Sequence, residues 1–258
     1  MKTLKQLASL VSGAEISGNA DEAITALAHD SRKVQEGTLF ICIPGVHVDG
    51  HSFIPQAVAS GARAILTTRS DVAVPDGISV LRVPKLDAAL QLLAPAFYDY
   101  PARSMRVIGI TGTNGKTTTS YITRAILRKA GYKVGLIGTI QILIEEEKHE
   151  IHNTTPDVVE LQSTIAEMRD RGMDYVVMEV SSHALAENRV AGIEFDTAVF
   201  TNRRITSTII KRLKTIGLRR RDYLISSRGK AEKTARRQSP ISTIRPRASC
   251  SRTPTVRI

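Results

Sequence analysis

The run Thr111-Gly112-Thr113-Asn114-Gly115-Lys116-Thr117-Thr118-Thr119 constrains this chain more than any other stretch. An apolar, strand-like segment, 105–110, leads into it, and a helix-like segment, Thr118 to Lys129, leads out. A strand, a glycine-rich turn and a helix N-terminus make a phosphate cradle. The first N–H groups of the helix point at the turn, and the helix dipole favours negative charge there. Within the run, Gly112, Thr113, Asn114, Gly115 and Thr118 are expected to line the phosphates of a nucleoside triphosphate. Lys116 would reach the β- and γ-phosphates, and the Thr117 hydroxyl would ligate Mg2+. Ile110 stands where the strict G-x-x-x-x-G-K-[ST] pattern has its first glycine, so the cradle is a variant P-loop. The plain alternative is a glycine turn beside a solvated lysine, which gives no reason for the strand before it and the helix after it.

The segments around the cradle read as alternating strands and helices. In residues 1–103 the candidate strands are Thr38–Ile43, Ala62–Thr67 and Ile78–Val83, with candidate helices Gly50–Ser60 and Lys85–Tyr98. Pro101 marks a short linker. Residues 104–202 carry the strand 105–110, a helix over 117–130 ended by Gly131, and a strand Lys133–Ile137. A helix Asp157–Arg171, closed by Gly172, precedes the strand Tyr175–Val180, a short helix near His183–Asn188 and a strand Asp196–Thr201. Apolar strands alternating with helices of this length predict an α/β protein with a mostly parallel, doubly wound sheet. The length allows one large or two ordinary domains.

Charge separates the tail from the body. Residues 203–258 hold 17 Lys/Arg and 2 Asp/Glu, whereas residues 1–202 hold 19 and 23, so all of the net +11 comes from the tail. The tail has no sustained period of 2 or 3.6 and is expected to be disordered. No early apolar stretch suits a membrane span or a secretory leader. Two cysteines, Cys42 and Cys250, make no disulfide framework, and a reducing cytoplasm is expected.

The P-loop variant resembles the TGTNGKTT signature of the Mur ligase family, and other segments match that family in order. His29-Asp30-Ser31-Arg32, Gly37–Ile43 and Asp49-Gly50-His51-Ser52-Phe53-Ile54 are similar to the uridine-nucleotide domain of its MurE-type branch. Asn153-Thr154-Thr155-Pro156-Asp157 resembles the muramoyl-peptide contact loop. The segment 179–185 resembles the metal and substrate strand end, and Phe200-Thr201-Asn202 opens a further family stretch. The resemblance covers about residues 1–202. It implies a small N-terminal α/β domain for the uridine nucleotide over 1–103, then part of the central ATP-binding domain over 104–202.

The chemistry so implied is amide-bond formation. A carboxylate is a poor electrophile, so ATP first phosphorylates it. The amine of a diamino acid, with a lean towards diaminopimelate over lysine, then attacks the acyl phosphate of UDP-N-acetylmuramoyl-L-alanyl-D-glutamate. Such phosphoryl transfer is mostly positioning and charge neutralisation. The resemblance assigns Lys116 to the phosphates, and Thr117 and Glu179 to Mg2+. His183 is a second metal or orienting ligand, with a structural histidine as the alternative. Asn153, Thr154, Thr155, Ser181 and Arg189 would clamp the anionic peptide; by residue type alone, 153–155 reads as a polar turn before a helix. Ser31 and the turn Val46-His47-Val48 would hold the uridine diphosphate, although His47 alone reads as a loop residue. Glu187 departs from the Gln of many relatives, and no role carries over to it. A monomer acting on small molecules, with neither nucleic acid nor membrane as partner, is expected.

The family continues past Asn202 with Asp-His-Leu-Asp-Tyr-His and a lysine that becomes carbamylated. A permitted coding string for Ile205–Ile216, preceded by a G and read one frame earlier, gives Asp-His-Leu-Asp-Tyr-His-Lys-Thr-Ile-Glu-Asn-Tyr. The expectation is therefore that residues 203–258 are out of frame, that the amino-acid-selecting domain is missing, and that the chain as written does not ligate. Two rival functions differ in what they predict. A folate-type ligase would lack the HDSR and DGHSFI segments. A nucleotide-binding regulator with a nucleic-acid-binding tail would show salt-sensitive binding and aromatic interleaving, whereas Tyr223 is the tail's sole aromatic residue.

Overall fold

The computed structural model describes residues 1–45, 49–149, 154–201 and 224–226. The elements run β1 (Lys2–Thr3), α1 (Leu4–Ala8), β2 (Glu15–Ser17), β3 (Ala23–Ile24), β4 (Ala26–Ala28), β5 (Thr38–Ile41), α2 (Ile54–Ala59), β6 (Ala62–Thr67), β7 (Ser79–Arg82) and α3 (Leu86–Phe97). They continue with β8 (Arg106–Thr111), α4 (Lys116–Lys129), β9 (Val134–Ile137), β10 (Ile142–Ile144), β11 (Glu147–His149), α5 (Val158–Asp170), β12 (Tyr175–Glu179), α6 (Ser182–Ala186), β13 (Thr197–Phe200) and β14 (Leu224–Ser226).

Two sheets result. The first has the order β2-β7-β6-β5-β4; its strands β4 to β7 are parallel, and β2 joins antiparallel on β7. The second has the order β11-β10-β9-β12-β8-β13-β14, with a parallel centre and an antiparallel hairpin at one edge. The central strands read as unbroken apolar runs because helices cover both faces of a parallel sheet. Gly109 in β8 is where a side chain could not fit: a Cβ there would lie 2.6 Å from Cε1 of Phe195.

The connections place the functional edge. From β8 the chain passes through α4 and across to β9, on the far side of β12; from β12 it passes through α6 to β13, on the far side of β8. The ends of β8 and β12 therefore lie side by side while their connections diverge. Open α/β sheets bind ligands at such a switch point.

The expected strands and helices match the observed ones to within a few residues, except that Gly50–Ser60 divides into a 3-10 turn, Gly50–Phe53, and α2. The β10–β11 hairpin carries no recognisable turn signal, since its bend is Glu145-Glu146 and Glu145 takes φ +56° without being glycine. Arg124 supports that bend from α4, donating from Nε to the Val134 carbonyl at 3.1 Å and from Nη2 to the Glu145 carbonyl. In the basic tail, Leu224–Ser226 add a parallel strand beside β13. Residues 202–223 and 227–258, and with them the expectations of disorder and of a shifted frame, lie outside the described residues.

Cores lie on both sides of each sheet, and one of them joins the sheets. Leu39, Ile41, Leu66 and Leu81 of the first sheet pack with Leu90 and Leu93 of α3, and the same cluster takes in Val158, Val159 and Ala191. The C-terminal end of α4 is closed by Gly131, at φ +91°, a backbone state that glycine adopts without steric cost.

Candidate functional site

The glycine-rich loop joins β8 to α4 with Gly112 at φ +139° and Gly115 at φ +83°. Gly115 is the N-cap of α4, and no side chain caps that end. The amides of Lys116, Thr117 and Thr118 thus form an uncapped helix start, the geometry that binds phosphate. Thr113, Asn114 and Gly115 are exposed. Lys116 Nζ donates to the Gly112 carbonyl at 2.9 Å, so its ammonium lies along the loop. From the end of β13, Thr201 braces the loop: its N–H donates to the Thr111 carbonyl at 3.0 Å, and its hydroxyl donates to the Asn114 carbonyl.

Glu179 ends β12 beside this loop and is fully buried. Its Oε2 accepts from the Thr117 and Thr139 hydroxyls, both at 3.0 Å, and its Oε1 accepts from the Thr139 N–H at 3.0 Å. All three donors are neutral. A buried carboxylate held only by neutral donors, beside a threonine hydroxyl at a phosphate cradle, presents hard oxygens suited to a small divalent cation. Gly138 makes the approach possible, because a Cβ there would lie 2.6 Å from Glu179 Oε1. Thr139 has no family motif to announce it; its signal is its place just past the C-terminal end of β9.

The residues expected to clamp the peptide converge on the same edge. Thr155 is buried; its hydroxyl donates to the Glu179 carbonyl at 3.0 Å and accepts from the Ser181 N–H at 3.2 Å. Arg189 donates from Nη1 to the Thr155 carbonyl at 3.0 Å. Thr154 Oγ1 lies 3.2 Å from Thr139 Oγ1, which links the clamp to the carboxylate. Ser181 caps α6 by accepting from the Ala184 N–H at 3.1 Å. Asn153 lies outside the described residues, as do Val46, His47 and Val48.

His183 stands apart from this cluster. Its side chain is 72 % exposed and its Nε2 lies 2.7 Å from Glu187 Oε1. The other Glu187 oxygen accepts from Arg189 Nε at 2.6 Å. Glu187, to which the motifs assign nothing, therefore bridges the histidine four residues before it and the arginine two residues after it, a local link at helical spacing.

In the first sheet, Ser31 is buried and donates to Gln56 Oε1 at 3.0 Å. The Asp49–Ile54 segment forms an internal network: His51 Nδ1 lies 2.6 Å from Asp49 Oδ1 and its Nε2 lies 2.8 Å from Thr67 Oγ1. Arg69 adds a bond to Asp49 Oδ2 at 2.6 Å. The hydrogen bond from His51 pulls the Asp49 carboxyl down to about 2. These contacts anchor the chain directly after residues 46–48.

Comparison with known proteins agrees with this arrangement. A family model described as the Mur ligase middle domain matches residues 110–206, and one described as the Mur ligase family catalytic domain matches residues 23–98. The UDP-N-acetylmuramoyl-L-alanyl-D-glutamate--2,6-diaminopimelate ligase of Bacillus licheniformis is 48% identical over 202 residues, which are 78% of this chain and 41% of the relative. The protein of the same name from Bacillus cereus is 52% identical over 180 residues, 69% of this chain and 36% of the relative. The chain thus spans about two fifths of the length of these curated relatives. Among solved structures, a ligase of that name superposes with a TM-score of 0.65 at 22% identity, covering 84% of this chain and 45% of the other. The MurF ligase from Thermotoga maritima in complex with ADP gives a TM-score of 0.50 at 23% identity, over 74% of this chain and 42% of the other. With the glycine-rich loop and the buried carboxylate on one sheet edge, and two family models that together match most of both large sheets, the chain belongs to the Mur ligase family.

Proposed function

We propose that this chain carries the nucleotide- and muramoyl-binding parts of an ATP-dependent amide ligase of peptidoglycan synthesis. The whole protein would join a diamino acid, meso-diaminopimelate by the names of its relatives, to UDP-N-acetylmuramoyl-L-alanyl-D-glutamate. Residues 1–103 would form the uridine-nucleotide domain and residues 104–202 part of the ATP-binding domain. A cytoplasmic monomer is the corresponding setting. The observation that carries the reading is the hydrogen bond between Thr117 and Glu179 at the switch point of the second sheet.

The chemistry follows from where charge must be neutralised. The uncapped amides of α4 and the Lys116 ammonium hold the ATP phosphates in line with the substrate carboxylate. Mg2+, when bound between Thr117 and Glu179, supplies neutralisation of phosphate charge. Arg189, already bonded to the Thr155 carbonyl, keeps a guanidinium beside Thr154 and Thr155, where the anionic dipeptide would lie. Glu187 offsets part of that charge and fixes the direction of the Arg189 fork. His183 would orient substrate from the rim rather than share the buried carboxylate. Ser31 and the 46–48 turn would take the uridine diphosphate.

Calorimetric titration of the 258-residue chain tests the reading. ATP with Mg2+ is expected to bind, and so is UDP-N-acetylmuramoyl-L-alanyl-D-glutamate in its absence. A chain that binds neither, while folded by circular dichroism, would overturn it.

A further inference from the structure

Two segments 128 residues apart meet through a hydrogen-bonded side-chain pair between the sheets. His29 directly follows β4, and its Nε2 lies 3.0 Å from Oδ2 of Asp157. Asp157 is the N-cap of α5, where its Oδ1 accepts from the Val159 N–H at 2.9 Å and the Glu160 N–H at 3.1 Å. One carboxylate oxygen therefore caps a helix of the second sheet while the other reaches the first. Ser31 lies two residues beyond His29, and Thr154 and Thr155 lie just before Asp157.

We infer that His29 and Asp157 are a positioning pair that sets the distance between the uridine-binding and peptide-binding segments, so that one extended ligand is held at both ends. The inference rests on the proposed function, which gives Ser31 and Thr154–Thr155 to opposite ends of the same molecule. Two half-sites help each other only when their separation matches the ligand, because binding at one end then raises the effective concentration at the other. A bond placed two residues from each half-site fixes that separation before the ligand arrives.

The rest of the interface does not depend on this pair. Leu90 and Leu93 pack with Val158 and Val159. Gln91 Oε1 accepts from Asn188 Nδ2 at 2.7 Å, and Arg169 Nη1 donates to the Tyr98 carbonyl at 2.8 Å. Removing the pair should leave the fold intact and loosen the alignment.

The charges support the same view. The side-chain hydrogen bond to Asp157 raises the His29 pKa, against burial, with Glu160 adding to the rise and Lys33 opposing it. For Asp157 burial pushes upward, yet the bond and charge of His29 and the two capping amides outweigh it and lower the pKa. Lys33, on the 3-10 turn after His29, lies 3.7 Å from Glu160 of α5. His29 contributes below its ordinary pKa and loses that contribution as pH rises through its raised value. Asp157 contributes above its ordinary pKa and loses it as pH falls through its lowered value. The pair acts between those two limits.

Asp157→Asn, which keeps a good helix cap but loses the charge, and His29→Gln test the inference in the 258-residue chain. The readouts are calorimetric affinities for UDP-N-acetylmuramoyl-L-alanyl-D-glutamate, for UDP alone and for ATP with Mg2+. Both variants are expected to bind the whole muramoyl ligand about tenfold more weakly, as loss of one charged hydrogen bond implies, with UDP and ATP affinities unchanged. Wild-type affinity for the whole ligand should fall as pH rises through the His29 pKa, and the Asp157→Asn profile should be flat. Wild-type binding that both variants leave intact would overturn the pair alone, and equal weakening of all three ligands would overturn it in favour of general damage. Absence of wild-type binding to the muramoyl ligand would overturn the functional reading, and the pair's role with it.

Discussion

The Thr117 hydroxyl donates to Glu179 Oε2 at 3.0 Å, joining the first turn of α4 to the end of β12 across 62 residues of sequence. The bond spans the crevice where connections leave the second sheet in opposite directions. It ties the glycine-rich loop to the buried Glu179 side chain.

Glu179→Gln and Glu179→Ala should therefore behave differently. The amide keeps an acceptor for the Thr139 N–H, so the fold should hold while the Mg2+ dependence of ATP affinity disappears. Alanine removes the acceptor shared by three donors; exposed Thr139 can turn to water, so the cost is about 1–3 kcal/mol in all. Thermal unfolding should fall by about 2–4 °C per kcal/mol lost. Titrating ATP with and without Mg2+, beside melting curves, checks both.

Lys116→Ala should weaken ATP binding without destabilising the chain. Among the described residues the ammonium contacts only loop carbonyls, so its removal should alter stability by no more than about 0.5 kcal/mol. Loss of a charged hydrogen bond to phosphate should cost about 1.5–3 kcal/mol of binding, roughly 10- to 100-fold in affinity. Fluorescent-nucleotide titration and a melting curve separate the two effects.

Gly109→Ala should do the reverse at first, damaging the fold beneath the site. The new methyl would meet the Phe195 ring at 2.6 Å, an overpacking that costs about 1–3 kcal/mol. Urea unfolding should show a lower midpoint with an unchanged slope.

Cys42 should resist alkylation. Burial pushes its thiol up to about 12, and the nearby Asp49 charge adds to the rise. At pH 8 iodoacetamide should leave the Cys42 peptide unmodified in the native chain and modify it in urea, as read by peptide mass mapping. Rapid native modification would show that β5 opens.

The phosphate cradle, the alternation of strands and helices, and most element bounds were legible because each depends on neighbours in sequence. The P-loop needs a strand before it and a helix after it, and Gly131 and Gly172 mark helix ends by their own conformational freedom. The β10–β11 hairpin was not legible, since Glu145-Glu146 turns without glycine or asparagine and is held by Arg124 from another element. Thr139 was missed for a related reason: it has no motif and meets Glu179, 40 residues away. Glu187 was missed although its partner His183 stands at helical i,i+4 spacing, because no motif includes it.

The sequence by itself determined the local parts: the loop that can cradle phosphate, the carboxylate at a strand end, and the apolar runs that must be buried. Only the tertiary structure decided which parts meet. Strand order brought the end of β12 beside β8, giving Thr117 and Glu179 one hydrogen bond. Packing of α3 on the start of α5 set His29 against Asp157. The reason is physical: periodicity and turn chemistry act over a few residues, whereas strand order and helix packing are settled by burying apolar faces of the whole chain at once.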